Sequence, residues 1–283
     1  MSPSTATQAT KITSSAPAPA DHFAQPKGTG FTIDFEKKVY VVTGGNRGLG
    51  ISITEALANA NATVAIIYNS AKDAEEVAER LSKKWGQTIK AYQANVSEAD
   101  KVKSTFAQIE KDLGPIHGVV ANSGISVVKS ALELGKEDFD KVFGVNVFGV
   151  FNTAQAAAAL WTERKQGGSI VVISSMSDTI VNSPITQAFY NSSKGAVSNL
   201  TRCLATEWAP HGIRVNNVNP GFIETDQTMH MDATLRENQC KEVPLGRFSK
   251  PWEQAGQVAY LLSPYSSYQT GSSVYIDGGY LCW

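Results

Sequence analysis

The stretch Val39-Tyr-Val-Val-Thr-Gly-Gly-Asn-Arg-Gly-Leu-Gly50 decides the fold. Its β-branched and aromatic opening, Val39–Thr43, reads as a first buried strand. Glycines 44, 48 and 50 follow, and then a helical pattern over about 47–60. Glycines placed between a first strand and its helix permit a tight turn, close approach of backbone to a pyrophosphate, and tight helix–strand packing. The helix N-terminus then presents unpaired N–H groups to an anion.

Working outward, Thr63-Val-Ala-Ile-Ile-Tyr68 reads as a second strand, and 71–85 as an amphipathic helix. Further strands are expected at 89–94, 116–121, 169–174, 213–218 and 273–276, with helices between them. Continuous apolar strands separated by helices imply a parallel sheet covered on both faces. The expectation is a single doubly wound α/β domain over 31–283, with a mostly parallel seven-stranded sheet. Cofactor and substrate are expected at the C-terminal ends of its strands. Residues 1–30, rich in Ser, Thr, Ala and Pro, read as a disordered or loosely docked arm.

The end of the second strand selects the dinucleotide. An NAD site places an acidic residue there for the ribose hydroxyls. Here the chain reads Tyr68-Asn-Ser-Ala-Lys, with no carboxylate until Asp73. Arg47 is placed to meet a 2′-phosphate, with Asn69 and Ser70 adding hydrogen bonds, so NADP(H) is the expected cofactor.

Composition removes several other classes. A formal net charge of −1 gives no electrostatic reason to expect nucleic acid or an anionic membrane. The apolar runs read as too short to span a bilayer. Three scattered cysteines and four histidines form neither a disulfide framework nor a metal cluster, so no metal is expected and a reducing, cytoplasmic setting is.

Tyr190 and Lys194 stand at i and i+4 in a helical stretch, on one face. An ammonium beside a phenol favours the phenolate, so the spacing predicts a tyrosine of lowered pKa that exchanges protons near neutrality. Ile173-Ser-Ser-Met-Ser177 offers hydroxyls at a strand end. Ser177 stands thirteen residues before Tyr190 and Ser175 fifteen. Ser175 is preferred because the strand end fixes its direction, with Ser177 lining the pocket.

These residues resemble the short-chain dehydrogenase/reductase family from about Phe35 to Trp283. Thr43 to Gly50 is similar to its glycine motif, Asn122-Ser-Gly124 to its Asn-Ala-Gly segment, Asn146 to its active-site asparagine, and Ile276-Asp-Gly-Gly279 to its C-terminal signature. The resemblance implies a Rossmann fold with Asn146, Ser175, Tyr190 and Lys194 as the catalytic set. It implies a cofactor lined by Gly44, Asn46, Arg47, Gly48, Leu49, Gly50, Asn69, Ser70, Asn95, Val96, Asn122, Gly124, Tyr190 and Lys194. Pro220-Gly221, with Ile223 and Thr225, is similar to the segment that holds the nicotinamide carboxamide. Lys194 would also bind the nicotinamide ribose, and Asn146 would hold a water linking Lys194 to solvent.

A narrower resemblance, to fungal NADP-dependent mannitol 2-dehydrogenases and the related sorbose, L-xylulose and carbonyl reductases, rests on 145–153, 186–194, 225–232 and Pro244-Leu-Gly-Arg-Phe. It implies a polyol/ketose substrate, mannitol and fructose first, and a homotetramer. Rival readings are a polyhydroxynaphthalene or 3-oxoacyl reductase on the same fold, and an NADPH-sensing binding module. The polar segment 222–248 reads as a lid, or its Met229 and Met231 as core filler. Asp178 stands where relatives carry a small residue, and reads either as a ligand for a polyol hydroxyl or as a solvated loop residue.

Overall fold

A computed structural model describes residues 31–282; the expected arm over 1–30 and Trp283 lie outside the described residues. Seven strands, β1 (Val39–Thr43), β2 (Thr63–Tyr68), β3 (Ile89–Gln93), β4 (Ile116–Ala121), β5 (Gly168–Ile173), β6 (Ile213–Pro220) and β7 (Ser273–Ile276), form one sheet. Its order is β3-β2-β1-β4-β5-β6-β7. Each of the neighbouring pairs is parallel. The helices are α1 (Gly48–Asn59), α2 (Ala74–Trp85), α3 (Ala99–Leu113), α4 (Lys136–Phe143), α5 (Gly149–Glu163), α6 (Ala188–Trp208), α7 (Asp226–Met229), α8 (Ala233–Glu242) and α9 (Pro251–Leu262).

Alternation along the strands explains the layers. Val39 and Val41 point into one core with Phe106, Ile109, Trp161, Val197 and Leu204, from α3, α5 and α6. Tyr40 and Val42 point into the other with Ile53, Leu57, Leu81, Val258 and Leu261, from α1, α2 and α9. Both faces of the central strands are therefore apolar, which is why they read as unbroken runs rather than alternating ones. A fully buried aliphatic side chain contributes about 1.5–3 kcal/mol, so these layers dominate the fold's stability.

The chain runs from β1 out to β3, then crosses back to place β4 on the other side of β1. That reversal opens a crevice at the C-terminal ends of β1 and β4, where doubly wound sheets bind ligands. Element ends differ from expectation by a few residues. The second helix begins at Ala74 rather than 71, and it ends on Gly86 in the left-handed conformation, φ 65°. Strand β6 runs on to Pro220 because Asn219 and Pro220 still pair with Tyr275 and Ile276 of β7.

One expectation is corrected. The continuous helical run Lys136–Glu163, 28 residues, holds an 18-residue stretch of mean hydropathy 1.2, long and apolar enough by length and composition to cross a membrane. The apolarity of that stretch has another cause here, because half of the stretch is buried within the fold. Ala154, Ala157 and Trp161 pack against the sheet, and the Trp161 indole donates to the Ile116 carbonyl at 2.8 Å.

Candidate active site

The glycine loop is built by backbone geometry. Gly44 and Gly48 have φ of +66° and +51°, a region that side chains with a Cβ rarely occupy. A Cβ on Gly50 would lie 2.0 Å from the Gly44 carbonyl oxygen, so the loop closes on itself only with glycine there. The loop is tied to β4 by Asn122, whose amide donates to the Thr43 carbonyl at 2.9 Å and the Gly44 carbonyl at 3.3 Å. The Thr43 hydroxyl in return accepts the backbone N–H of Asn122 and of Ser123, each at 3.0 Å. Asn122 therefore shapes the cofactor cradle through the loop.

Helix α1 opens directly behind the loop with no acidic residue in its first turn and no side-chain cap. Its first N–H groups are thus left to an anion. Arg47 is exposed, and its guanidinium has no partner among the described residues. Asn69 and Ser70 are exposed at the end of β2. Asn46, 7% exposed, makes no side-chain hydrogen bond among the described residues. Leu49, by contrast, packs against the core beneath the loop. A positive, carboxylate-free cradle of this kind fits a dinucleotide with an extra phosphate.

Two of the expected contact residues also have structural duties. Asn95 Oδ1 accepts from Ser97 N–H at 3.1 Å and Ser97 Oγ at 2.8 Å, and Asn95 Nδ2 donates to Glu98 at 3.0 Å, forming the turn into α3. Val96 is buried, and its carbonyl holds the Asn152 amide at 2.9 Å. Opposite the cradle, Gly221 donates to the Ile276 carbonyl at 3.0 Å, and a Cβ there would meet Asp277 at 2.6 Å. Ile223 bridges to Ser249. The Thr225 methyl lies 3.7 Å from a Cβ built on Gly48, so the segment after β6 lies over the glycine loop.

Serines 174, 175 and 177 diverge. Ser174 Oγ donates to the Lys194 carbonyl at 3.2 Å, fixing β5 to α6. The Ser175 hydroxyl is the group that acts on the Tyr190 phenol, opposing the effect of its burial. Ser177 sits behind it, since Ser175 Oγ donates to Ser177 Oγ at 2.9 Å and Ser177 Oγ donates to Asn182. Ser177 thus backs Ser175 rather than lining the pocket as expected; its backbone N–H also donates to Ser175 Oγ at 3.1 Å.

Lys194 departs from the expected geometry. Its Nζ lies 5.5 Å from the centre of the Tyr190 ring, on the predicted face, yet it donates to the Ile173 carbonyl at 2.9 Å. Burial therefore pushes the Tyr190 phenol above its ordinary value of 10.0, and the Ser175 hydroxyl pulls it partly back. The same burial lowers Lys194 from 10.5 to about 8. In this arrangement the phenol is a proton donor at neutral pH rather than a phenolate.

Asn146 sits in a π-helical segment, Gly144–Phe148, between α4 and α5. One extra residue per turn widens the helix, a device common at functional sites. Its amide accepts from Ile125 N–H and donates to the Ile125 carbonyl, both at 2.9 Å, and donates to Ser193 Oγ at 3.0 Å. The Asn146 side chain is thus a clamp, with both amide protons engaged and one lone pair of its Oδ1 still open. A Cβ on Gly124 would stand 3.6 Å from both Asn146 Oδ1 and Lys194 Nζ, so clamp, ammonium and β4 loop meet at one point.

A family model described as Enoyl-(Acyl carrier protein) reductase, of the short-chain dehydrogenase/reductase type, matches residues 44–281. The chain belongs to the short-chain dehydrogenase/reductase family. A sorbose reductase of Candida albicans is 40% identical to it over 248 residues, 87% of each chain. A probable NADP-dependent mannitol dehydrogenase of Yarrowia lipolytica is 39% identical over 283 residues, 99% of each. A short-chain type dehydrogenase/reductase from Mycobacterium marinum superposes with a TM-score of 0.84 at 37% identity, over 89% of this chain and 98% of its own. The protein is accordingly an oxidoreductase of this family.

Several residues of this short-chain dehydrogenase/reductase site were not picked out from sequence. Asn182 Oδ1 accepts from the Ser177 hydroxyl and from Gln187 Nε2, the latter at 2.9 Å. Gln187 Nε2 also reaches Asn191 at 3.0 Å, and Gln187 Oε1 accepts from Ser126 at 3.1 Å. The clustering of Asn182, Gln187 and Asn191 between the serine turn and α6 was the available signal. The segment 222–248 folds into α7 and α8, with Asp232 capping α8 through Leu235 N–H at 2.9 Å. Met229 is 67% exposed, which removes the core-filler reading for that residue. No group of three or more potential metal ligands occurs among the described residues.

Proposed function

We propose that the protein interconverts a polyol and a ketose with NADP(H), D-mannitol and D-fructose first among them. The observation that carries this reading is the polar rim beside Ser175 and Tyr190, in which Ser126, Asn182, Gln187 and Asn191 are linked by hydrogen bonds. Amides and hydroxyls in such a rim can exchange their mutual bonds for those of a polyhydroxylated substrate, at small net cost. The names of the relatives in Candida albicans and Yarrowia lipolytica support the same substrate class.

Arg47, Asn69 and Ser70 would hold the 2′-phosphate, the glycine loop and α1 N-terminus the pyrophosphate, and Gly221, Ile223 and Thr225 the carboxamide. NADP(H), when bound, supplies or takes up the hydride. In reduction, Tyr190 Oη donates its proton to the carbonyl oxygen. Ser175 Oγ hydrogen-bonds that oxygen as negative charge builds on it, held in direction by the Ser177 N–H. Lys194 holds positive charge over the Tyr190 ring, and Asn146 keeps the β4 loop against it. In oxidation Tyr190 takes the alcohol proton instead.

A second reading, a reductase of bulkier ketones, draws on Val128, Leu132 and Val181, which are exposed at 65%, 98% and 73% on the same loops. NADPH oxidation followed at about 340 nm with D-fructose, L-sorbose, L-xylulose and an aromatic ketone separates them, with NADH as the cofactor control. Preference for fructose with NADPH supports the mannitol/fructose assignment. Preference for the aromatic ketone overturns the ketose reading, and saturable NADPH binding without any turnover would return the protein to a sensor.

We further propose a homotetramer in the cytoplasm. Phe139 and Phe148 are 39% and 49% exposed, beside Phe143, Val147, Phe151 and Leu200 on the α4–α6 face, and such an apolar face suits a subunit contact. The free thiols of Cys203, Cys240 and Cys282 suit a reducing compartment.

A further inference from the structure

Lys194 is 5% exposed, and no carboxylate lies within ion-pair distance of it among the described residues. An ammonium buried in that way is costly unless something compensates its charge. The Ile173 carbonyl supplies one hydrogen bond at 2.9 Å. Around the ammonium, α6 contributes the neutral Tyr190, the β4 loop Gly124, and the π segment the neutral Asn146. The charged group whose field reaches it comes from the turn after β5. Burial brings Lys194 down to about 8, and the Asp178 carboxylate acts in the opposite sense.

Asp178 is itself tightly held, which corrects both expectations for it. Its carboxylate accepts from Asn219 Nδ2 at 2.8 Å, Thr179 Oγ1 at 2.9 Å, Tyr275 Oη at 3.0 Å and Ser198 Oγ at 2.5 Å. With its lone pairs taken, it is neither a free ligand for a substrate hydroxyl nor a solvated loop residue. The donors come from β6, β7 and α6 as well as its own turn. Asn219 Nδ2 also donates to the Ser175 carbonyl at 3.1 Å, so one amide spans Asp178 and the serine that faces Tyr190. Ser198 Oγ contacts Ser174 Oγ at 3.2 Å, and Ser174 in turn holds the Lys194 carbonyl. A Cβ on Gly195 would lie 3.6 Å from the Asp178 carbonyl oxygen, so the turn rests directly on the residue after Lys194.

We propose that Asp178 is a positioning residue for the reaction: it is the counter-charge that keeps the buried Lys194 an ammonium, and through Asn219 it fixes the turn carrying Ser175. Four donors orient one carboxylate, and its negative charge acts on Lys194 through a medium from which water is largely excluded. In such a medium charge acts further than it does in water. Tyr275 and Thr179 bring the outer edge of this network to the surface, and Arg202 is the cation whose field reaches Tyr275. The inference rests on Lys194 belonging to the proton-transfer group, and is independent of which ketose is reduced.

The test compares Asp178→Asn with Tyr275→Phe, which removes a hydrogen bond and leaves the carboxylate charged. Thermal midpoints of the full-length variants are read from pH 6 to 9.5, with no substrate present. Lys194 binds its proton less tightly folded than unfolded, so the folded state is penalised at low pH and relieved as pH rises through the folded value. Removing the counter-charge moves that relief to lower pH. The midpoint deficit of Asp178→Asn should therefore shrink on raising pH from 6 to 8, while that of Tyr275→Phe stays constant.

In turnover with NADPH and the best ketone of the substrate panel, the alkaline limb of kcat should move to lower pH by roughly half a unit to one unit in Asp178→Asn alone. Asp178→Ser, whose hydroxyl can rejoin Ser198 and Tyr275, serves if the amide variant does not fold. A deficit independent of pH, an unmoved limb, or an equal shift in Tyr275→Phe would each overturn the proposal and reduce Asp178 to a packing residue. A shift in midpoints persists as support even if no ketose is turned over, which separates this inference from the substrate assignment.

Discussion

The glycine loop, Gly44 to Gly50, and the serine turn, Ser174 to Asp178, both leave the C-terminal end of a parallel strand, yet they are held by opposite means. The loop is fixed by space. Its conformation follows from positive φ at Gly44 and Gly48 and from the room at Gly50, with Asn122 bonded to backbone carbonyls. The turn is fixed by side chains, with Asn182, Asn219, Ser198 and Tyr275 each bonded to Ser177 or Asp178. A site that must admit a phosphate needs exposed N–H groups and nothing in front of them. One that must move a proton needs hydroxyls whose direction and charge environment are set. Substitutions should break the first through sterics and the second through electrostatics.

The largest effect is expected on the side-chain-built half. Tyr190→Phe removes the proton donor and leaves the ring that lies under the Lys194 ammonium. Turnover should fall by about 10²–10⁴-fold, with NADPH affinity within a few fold of wild type by fluorescence titration. Retained turnover would move proton transfer to Ser175 or to water. The matching change in the loop is Gly50→Ala. A methyl 2.0 Å from the Gly44 oxygen cannot be accommodated without moving backbone. We expect a loss of stability of about 1–3 kcal/mol or more together with loss of NADPH binding, read by thermal shift with and without cofactor. Wild-type binding in this variant would break the distinction between the two regions.

That distinction also governs what could be read from sequence. The loop was legible because its causes are local: glycine spacing, strand pattern and the missing acid after β2 all lie within about thirty residues. The parallel seven-stranded sheet followed from the same alternation of apolar strands and helices. The turn was only half legible. Ser175, Tyr190 and Lys194 were found by position, but the partners of Asp178 come from β6, β7 and α6, far apart in the chain. Spacing placed Lys194 on the tyrosine's face, but i, i+4 geometry cannot say that its ammonium bonds to the Ile173 carbonyl.

Acid–base behaviour should sharpen the comparison further. With Tyr190 held above 10.0 by burial, its phenolate fraction is small at pH 7 and grows about tenfold per pH unit. Polyol oxidation, which needs Tyr190 as acceptor, should therefore climb steeply from pH 7 to 9. Ketone reduction uses the protonated phenol and should stay level until Lys194 loses its proton near 8. Steady-state rates in both directions across that range check this. An oxidation rate flat from pH 7 to 9 would mean that the ammonium has turned from Ile173 to the phenol during turnover. NADPH affinity, set by a loop whose shape rests on glycine backbone, should stay nearly constant over the same range.

The smallest effect belongs to the one charge that the loop carries. Arg47 precedes Gly48, is exposed, and has no partner to release, so its loss costs no internal ion pair. Arg47→Ala should leave the thermal midpoint without cofactor unchanged. A charge-assisted hydrogen bond to phosphate contributes about 1.5–3 kcal/mol, and partial exposure to water places this one toward the lower end. NADPH should then bind roughly tenfold more weakly, with NADH binding unaltered. The ratio of the two affinities is the decisive quantity, because damage to the loop itself would weaken both cofactors together. If both fall in parallel, Arg47 shapes the turn and selectivity must come from Asn69 and Ser70; if neither falls, the 2′-phosphate is held elsewhere. A selective loss would show that the loop's shape and its cofactor preference are separable, the first resting on glycine and the second on a single side chain.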